Sequence, residues 1–237
     1  MSQYQAYGNQ LSVGDKLMGQ TRLVGEQAAI IHQTYLLLSL SVVSAMVGGY
    51  IGATTPAIVQ FFSGWMGWIA AMVLLNVVPM IAMACRHNTF LGVSALLFDG
   101  FVAGLILAPI LYIANRIAPD VVYTAMIITG IVFLAVTGYV MTTKRTFSAP
   151  RGLMTGIFFC IVGVIVLNIF IQATFLSLVI SAGIGIFGTF ILIFATSEVL
   201  NNPEADSPIP GALMLFAGLF NVFVAVLHLL LAFTSRD

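Results

Sequence analysis

The sequence predicts an all-α, polytopic membrane protein whose seven transmembrane helices form one bundle. Of its 237 residues, 60% are hydrophobic and only 7% are charged, with 8 Lys+Arg and 8 Asp+Glu. Soluble domains carry about 25% charged residues, so these charges cannot cover a soluble surface. The mean hydropathy of +1.10 agrees. Apolar runs of about 20 residues, the length that spans a bilayer, follow one another with short breaks.

The same composition excludes several classes of protein. A cytosolic enzyme, a nucleic-acid binder with a basic surface, a disordered chain and a disulfide-stapled secreted module all need more charge or more cysteine than this chain has. The runs are solidly apolar, whereas barrel strands are about ten residues long and alternate with polar residues. In lipid, a helix forms all of its backbone hydrogen bonds within one segment, which favours helices here.

Each predicted span is an apolar run bounded by turn or charge signals. Pro56 follows the first run, and Arg86 stands between the second and the third. Pro119 precedes the fourth, and a basic break at 144–151 precedes the fifth. Residues 172–174 form the only polar break between the fifth and sixth runs, and residues 201–210 precede the seventh. The runs are 34–54, 61–84, 89–114, 121–142, 152–173, 175–199 and 211–233.

Residues 1–33 are predicted to be a cytoplasmic N-terminal tail, and residues 34–237 the transmembrane domain. The tail has no short basic region followed at once by an apolar core, so we expect the first span to be an uncleaved anchor. Cytoplasmic loops are enriched in Lys and Arg. An inside N-terminus and a periplasmic C-terminus place two cations outside, Arg116 and Arg236, and six inside: Lys16, Arg22, Arg86, Lys144, Arg145 and Arg151.

Small residues four apart predict close helix packing in lipid. The pairs are Ser44 and Gly48, Gly100 and Gly104, Gly152 and Gly156, and Ser177 and Ser181. Chance also yields some of these pairs among 22 glycines, so they support a compact bundle without assigning a contact. Pro79 and Pro109 are expected to kink the second and third spans.

Asp99, in the middle of the third run, is the most informative polar residue. A charge at mid-bilayer costs about 2.5–3.5 kcal/mol on insertion scales, so Asp99 should face the bundle interior, a water-filled cavity or a partner. It is either a proton- or cation-responsive site or a hydrogen-bonded contact between helices. Asn221 and His228, about two turns apart in the last span, indicate either an aqueous cavity or interhelical hydrogen bonds. Asn168 is a weaker candidate of the same kind, and Glu198 is expected at a solvated span end.

The sequence predicts no enzyme, cofactor or metal site. Residues 183–188 match G-x-G-x-x-G, but they lie inside an apolar run without the strand and turn that a dinucleotide site requires. No nucleophile–base pair or metal-ligand spacing is present in the sequence.

The order of the spans and seven short segments resemble the Bax inhibitor-1 superfamily, most closely its bacterial modulators of the membrane protease FtsH. The segments are QTYLLLSL (33–40), FDGF (98–101), LAPIL (107–111), NIFIQ (168–172), FATS (194–197), LFNVFV (219–224) and FTSRD (233–237). The resemblance implies a bacterial inner-membrane protein with six helices around a central seventh. It also implies a slow substrate and inhibitor that FtsH engages through the N-terminal tail.

The calcium-leak members of this family carry a pair of intramembrane aspartates. By the resemblance, the corresponding positions here are Ala195 and Gly218, neither of which ionises. Two functions therefore compete, a modulator of FtsH in membrane-protein quality control and a pH-responsive calcium or proton leak near Asp99. The missing acid pair favours the modulator.

Overall fold

The computed structural model describes residues 2–143, 146–147, 151–171, 173–202 and 206–234, with side chains from residue 25 onward except those of 151, 153 and 169. Over these residues the chain forms nine helices and no strand. They are α1 (Ser2–Thr54), α2 (Pro56–Ser63), α3 (Trp65–Ala84), α4 (Thr89–Ile106), α5 (Ala108–Ile117), α6 (Pro119–Thr143), α7 (Arg151–Ile171), α8 (Thr174–Asn201) and α9 (Ile209–Thr234).

Six of the described helices are long and apolar enough to cross a membrane. They comprise α3, α4, α6, α8, α9 and the part of α1 from Gly25 to Thr54. The remaining predicted span, the fifth run at 152–173, corresponds to α7, whose described apolar stretch is Met154–Asn168. At about 1.5 Å per residue, the 21 residues of α7 extend over about 31 Å, close to the thickness of a bilayer core. The predicted all-α polytopic fold is confirmed.

The helix that holds the first span begins before the predicted run. We expected the run to start at residue 34, and α1 is helical from Ser2. Residues 26–33 contain strong helix formers and no glycine or proline, so nothing ends the helix there. The boundary at residue 33, between the cytoplasmic tail and the transmembrane domain, therefore stays a prediction.

The second span begins later than predicted, because residues 56–63 form the separate helix α2. Gly64 is extended between α2 and α3, and α3 starts at Trp65. The turn is so tight that a Cβ at Gly67 would overlap the carbonyl oxygen of Phe61. Glycine is the one residue that fits this approach.

The third predicted run, 89–114, is two helices rather than one. α4 ends at Ile106 and α5 starts at Ala108, with Leu107 between them. Pro109 in the first turn of α5 has no N–H and clashes with a carbonyl one turn earlier, which breaks the helix. Pro79, by contrast, lies inside an unbroken α3.

The seventh span, α9, lies at the centre of the bundle and packs against α1, α3, α4, α6 and α8. The most extensive contacts join α8 to α9 and α1 to α4, while α7 packs against α8. The largest apolar cluster surrounds Leu192 of α8 and Leu215 of α9, both fully buried. The central position of the last helix agrees with the expected architecture.

Three connections meet at one end of the bundle. The Ser207 hydroxyl donates to the Arg86 carbonyl oxygen, so the segments after α3 and before α9 meet there. The Thr34 hydroxyl reaches the Pro208 carbonyl oxygen (3.3 Å), and the Phe147 amide donates to Ser197 Oγ (2.8 Å). Among the cations used to predict the membrane orientation, Lys144, Arg145 and Arg236 lie outside the described residues. Gln172, in the predicted break between the fifth and sixth runs, also lies outside them.

Candidate functional site

Asp99 lies inside the bundle, with 5% of its surface exposed. It stands one turn after Leu96 and one turn before Ala103, each a member of a buried apolar cluster that includes residues of α1 and α9. Residues three and four apart share a helix face, so Asp99 lies on the face of α4 that packs into the core. Within the described part of the chain, no group donates a hydrogen bond to Asp99 or forms an ion pair with it.

The helix interface beside Asp99 is formed by very small residues. Gly100 follows Asp99, and a Cβ there would come within 2.5 Å of the Ser41 carbonyl oxygen on α1. One turn later, a Cβ at Gly104 would overlap the Ala45 carbonyl oxygen. The backbones of α1 and α4 therefore touch, and Asp99 is held beside a rigid contact.

The two predicted polar residues of α9 lie in different surroundings. Asn221 is half-buried, and its amide donates to the Ala217 carbonyl oxygen on the same helix (2.9 Å). His228 is exposed. The Cβ of Asn221 lies against Gly188 of α8, where an added Cβ would come within 2.8 Å. The last glycine of the G-x-G-x-x-G match thus serves helix packing.

Asn168 and Glu198 lie at other places in the bundle. The Asn168 amide donates to the Ser177 hydroxyl (2.9 Å), a hydrogen bond that joins α7 to α8. Glu198 is exposed near the end of α8 and accepts a hydrogen bond from the Asn202 amide (2.7 Å). No described hydrogen bond or ion pair joins any two of the five predicted polar residues. Among the residues that the structure describes, no three His, Cys, Asp or Glu lie close enough to hold a metal ion.

Sequence reasoning missed the polar residues at the end where the connections meet. Ser197 is 2% exposed and accepts hydrogen bonds from the Phe147 amide and from the Asn201 side chain. Ser207 is 8% exposed, and its hydroxyl also accepts from the Ile209 amide (3.3 Å). Hydroxyls near the ends of apolar runs were the available signal, but their partners lie far away in sequence.

A sequence profile described as "Inhibitor of apoptosis-promoting Bax1" matches residues 27–235, nearly the whole chain. The chain belongs to the Bax inhibitor-1 family. Among its relatives is the Escherichia coli "Modulator of FtsH protease YccA", 32% identical over 88% of this chain and 91% of that protein. An uncharacterized protein of Campylobacter jejuni is 29% identical over 89% of this chain and 91% of its own length. A Vibrio cholerae protein described as an uncharacterized membrane protein is 27% identical over 90% of this chain and 93% of its own length.

In this Bax inhibitor-1 family member, the two positions that the resemblance assigns to the acid pair are part of the apolar core. Ala195 is fully buried on α8, and Gly218 is buried on α9. A Cβ at Gly218 would come within 2.9 Å of Leu192 Cγ. Leu192 thus fills the space that a side chain at position 218 would need.

Proposed function

We propose that this protein is an integral inner-membrane modulator of the ATP-dependent protease FtsH, acting as its inhibitor and slow substrate in membrane-protein quality control. The observation that carries the proposal is the likeness to the E. coli modulator YccA over almost the full length of both chains. Two features of the structure support it, the helical N-terminal extension and the close contact between α1 and α4.

The N-terminal extension offers the protease a segment to grip. α1 starts at Ser2, well before the apolar run that begins at residue 34. Residues 2–24 are helical and extend over about 34 Å, at about 1.5 Å per residue. With the N-terminus in the cytoplasm, as the distribution of Lys and Arg favours, this helix lies on the side where FtsH consumes ATP.

The α1–α4 contact explains why such a substrate is degraded slowly. A protease that pulls on the tail pulls α1 first. The backbone of α1 touches that of α4 at Gly48, where a Cβ would overlap the Phe101 carbonyl oxygen, and at Gly104. The Ser44 hydroxyl adds a hydrogen bond between the two helices. Extraction must break this contact before the rest of the bundle yields, so a bound chain occupies the protease and inhibits it.

Truncation tests the proposal. The full chain and a variant lacking residues 1–25 are reconstituted with FtsH, and their degradation is followed together with that of a second membrane substrate. We expect the truncated protein to persist and to stop inhibiting degradation of the second substrate. The control replaces residues 1–25 with an unrelated helical sequence of equal length, which separates tail length from tail sequence. Degradation and inhibition by the truncated protein at the full-length rate would refute the proposal.

Asp99 supports a second candidate function, a pH-responsive leak of calcium or protons. A carboxyl buried at mid-span without a described partner is unusual in lipid. In vesicles loaded with a calcium- or pH-sensitive dye, a leak through this site predicts a pH-dependent flux that Asp99→Asn changes. Asp120→Asn, at the exposed start of α6, is the matched control. No flux, or a flux that Asp99→Asn leaves unchanged, would rule out this mechanism.

A further inference from the structure

An elongated cavity of about 450 Å³ lies between α1 and α6, with the α4–α5 segment and α9 as its other walls. Its volume falls within the range of about 300–1,000 Å³ that is typical of small-molecule sites. The wall on α1 extends from Val42 to Thr54, which is about 18 Å at about 1.5 Å per residue. The cavity borders the membrane-spanning parts of α1, α4, α6 and α9, so its surroundings are lipid rather than water.

The cavity is apolar at one end and polar at the other. Its deep end is lined by groups such as Phe216 and Gly130, and the one hydroxyl there, that of Thr129, is bonded to the Ala125 carbonyl oxygen (2.7 Å). Tyr50, Thr54, Asn115 and Tyr123 line the end where α1 stops and α6 starts.

The polar end opens at the outer surface of the bundle. Tyr50 is 73% exposed and Tyr123 is 64% exposed, one on each side of the cavity. Such tyrosines mark the level of lipid headgroups. Arg116 directly follows the lining residue Asn115, and its guanidinium lies 4.7 Å from the centre of the Tyr112 ring. A positive charge is therefore carried by the residue that follows the polar end of the lining on α5.

We propose that this cavity binds one acyl chain of a membrane phospholipid, with the phosphate held near Arg116. The cavity is about 18 Å long on α1 and runs along the membrane-spanning helices, as the acyl chains of the surrounding lipid do. The change from an apolar to a polar lining, together with a cation in the residue after Asn115, matches an amphipathic anion aligned with those lipids.

Glycines on α6 allow a matched test. Gly130 lines the cavity, and nothing lies within 4 Å of a Cβ built there, so Gly130→Leu fills the cavity without touching backbone. Gly138 is on the same helix, also has nothing within 4 Å, and lies outside the lining. Gly138→Leu therefore repeats the change in helix propensity and apolar surface without affecting the cavity.

The full chain is reconstituted in vesicles of phosphatidylethanolamine and phosphatidylglycerol that contain a phospholipid with a photoreactive group on one acyl chain. After illumination, labelled peptides are mapped by mass spectrometry. We expect labelling within 42–54 and 122–130, a several-fold loss in Gly130→Leu and no loss in Gly138→Leu. Met46→Trp, which narrows the cavity from α1, is the second blocking variant and should also reduce labelling, in case Gly130→Leu fails to fold.

Two further labelling experiments distinguish which kind of lipid supplies the bound acyl chain. Photoreactive diacylglycerol lacks the phosphate, so Arg116→Gln should reduce labelling by the phospholipid and leave labelling by diacylglycerol unchanged. Photoreactive palmitate tests for a free fatty acid. Equal labelling of these segments in both blocking variants and the wild type would overturn the proposal. Labelling by palmitate alone would overturn the assignment to a phospholipid.

Discussion

The hydroxyl of Ser44 on α1 donates a 2.7 Å hydrogen bond to the carbonyl oxygen of Leu97 on α4. One turn further along α1, Gly48 lies directly against the Phe101 carbonyl oxygen, and Gly104 meets Ala45. Lipid supplies no hydrophobic drive for helix association, so close backbone packing and interhelical hydrogen bonds must replace it. This contact secures the helix that carries the N-terminal extension.

Gly104→Ala is expected to loosen the α1–α4 contact. The new methyl group would overlap the Ala45 carbonyl oxygen, and overpacking typically costs about 1–3 kcal/mol. The variant should therefore unfold at a lower temperature in detergent, followed by circular dichroism. If the contact limits extraction, FtsH should also degrade it faster.

Gly138→Ala is the control, because a Cβ at that position meets nothing within 4 Å. Alanine is also the better helix former, so this variant should be as stable as the wild type or slightly more stable. Equal unfolding temperatures for Gly104→Ala and Gly138→Ala would show that the α1–α4 approach is looser than the structure describes.

Ser44→Ala tests the hydrogen bond itself. Interhelical hydrogen bonds in membranes contribute about 0.6 kcal/mol on average and up to about 1.7. Ser39→Ala is a matched control on the same helix, since the exposed Ser39 hydroxyl bonds to the Tyr35 carbonyl oxygen of its own helix. We expect only Ser44→Ala to lower the midpoint of chemical unfolding, and a larger effect of Ser39→Ala would contradict the assignment.

The fold was largely predictable because the bilayer limits the choice. Seven apolar runs, separated by prolines, charges or other polar residues, map onto the membrane helices. The errors occurred where local chemistry interrupts a run. Pro109 splits the third run at Leu107, and Gly64 separates α2 from α3. α1 continues N-terminal to the first run, because residues 26–33 contain no glycine or proline that would end the helix.

The candidate site was less predictable, because a polar residue in a span does not reveal its partner. Asp99 is buried and His228 is exposed, while Asn221 bonds to its own helix. The contacts of Ser197 and Ser207 depend on connections that lie 50 and 121 residues away in sequence. Hydropathy periods carry no information about such pairings.

Ser207→Ala should destabilise the bundle more than Asp206→Asn does. Ser207 is buried, and its hydroxyl bonds both the Arg86 carbonyl oxygen and the Ile209 amide. Loss of such a buried hydroxyl leaves its partners unsatisfied, at a cost of about 1–3 kcal/mol. The adjacent ion pair between Arg86 and Asp206 spans 3.8 Å and is largely exposed, so it contributes about 0–1 kcal/mol. Unfolding midpoints of the two variants at low and high salt check this order.

Asp99→Asn should leave the stability unchanged or raise it. No described group pairs with this carboxyl, so the amide removes a buried acid and breaks no ion pair. Removing one partner of a buried ion pair would instead cost about 3–5 kcal/mol. Asp120→Asn is the control, because Asp120 lies exposed in the first turn of α6, where an acid is favoured by about 0.3–1 kcal/mol through the helix dipole. The control should therefore lose a little stability while Asp99→Asn does not. A fall in the unfolding temperature of Asp99→Asn well beyond that of the control would show that Asp99 has a charged partner in the native bundle, and the leak mechanism would then have to be rebuilt around that pair.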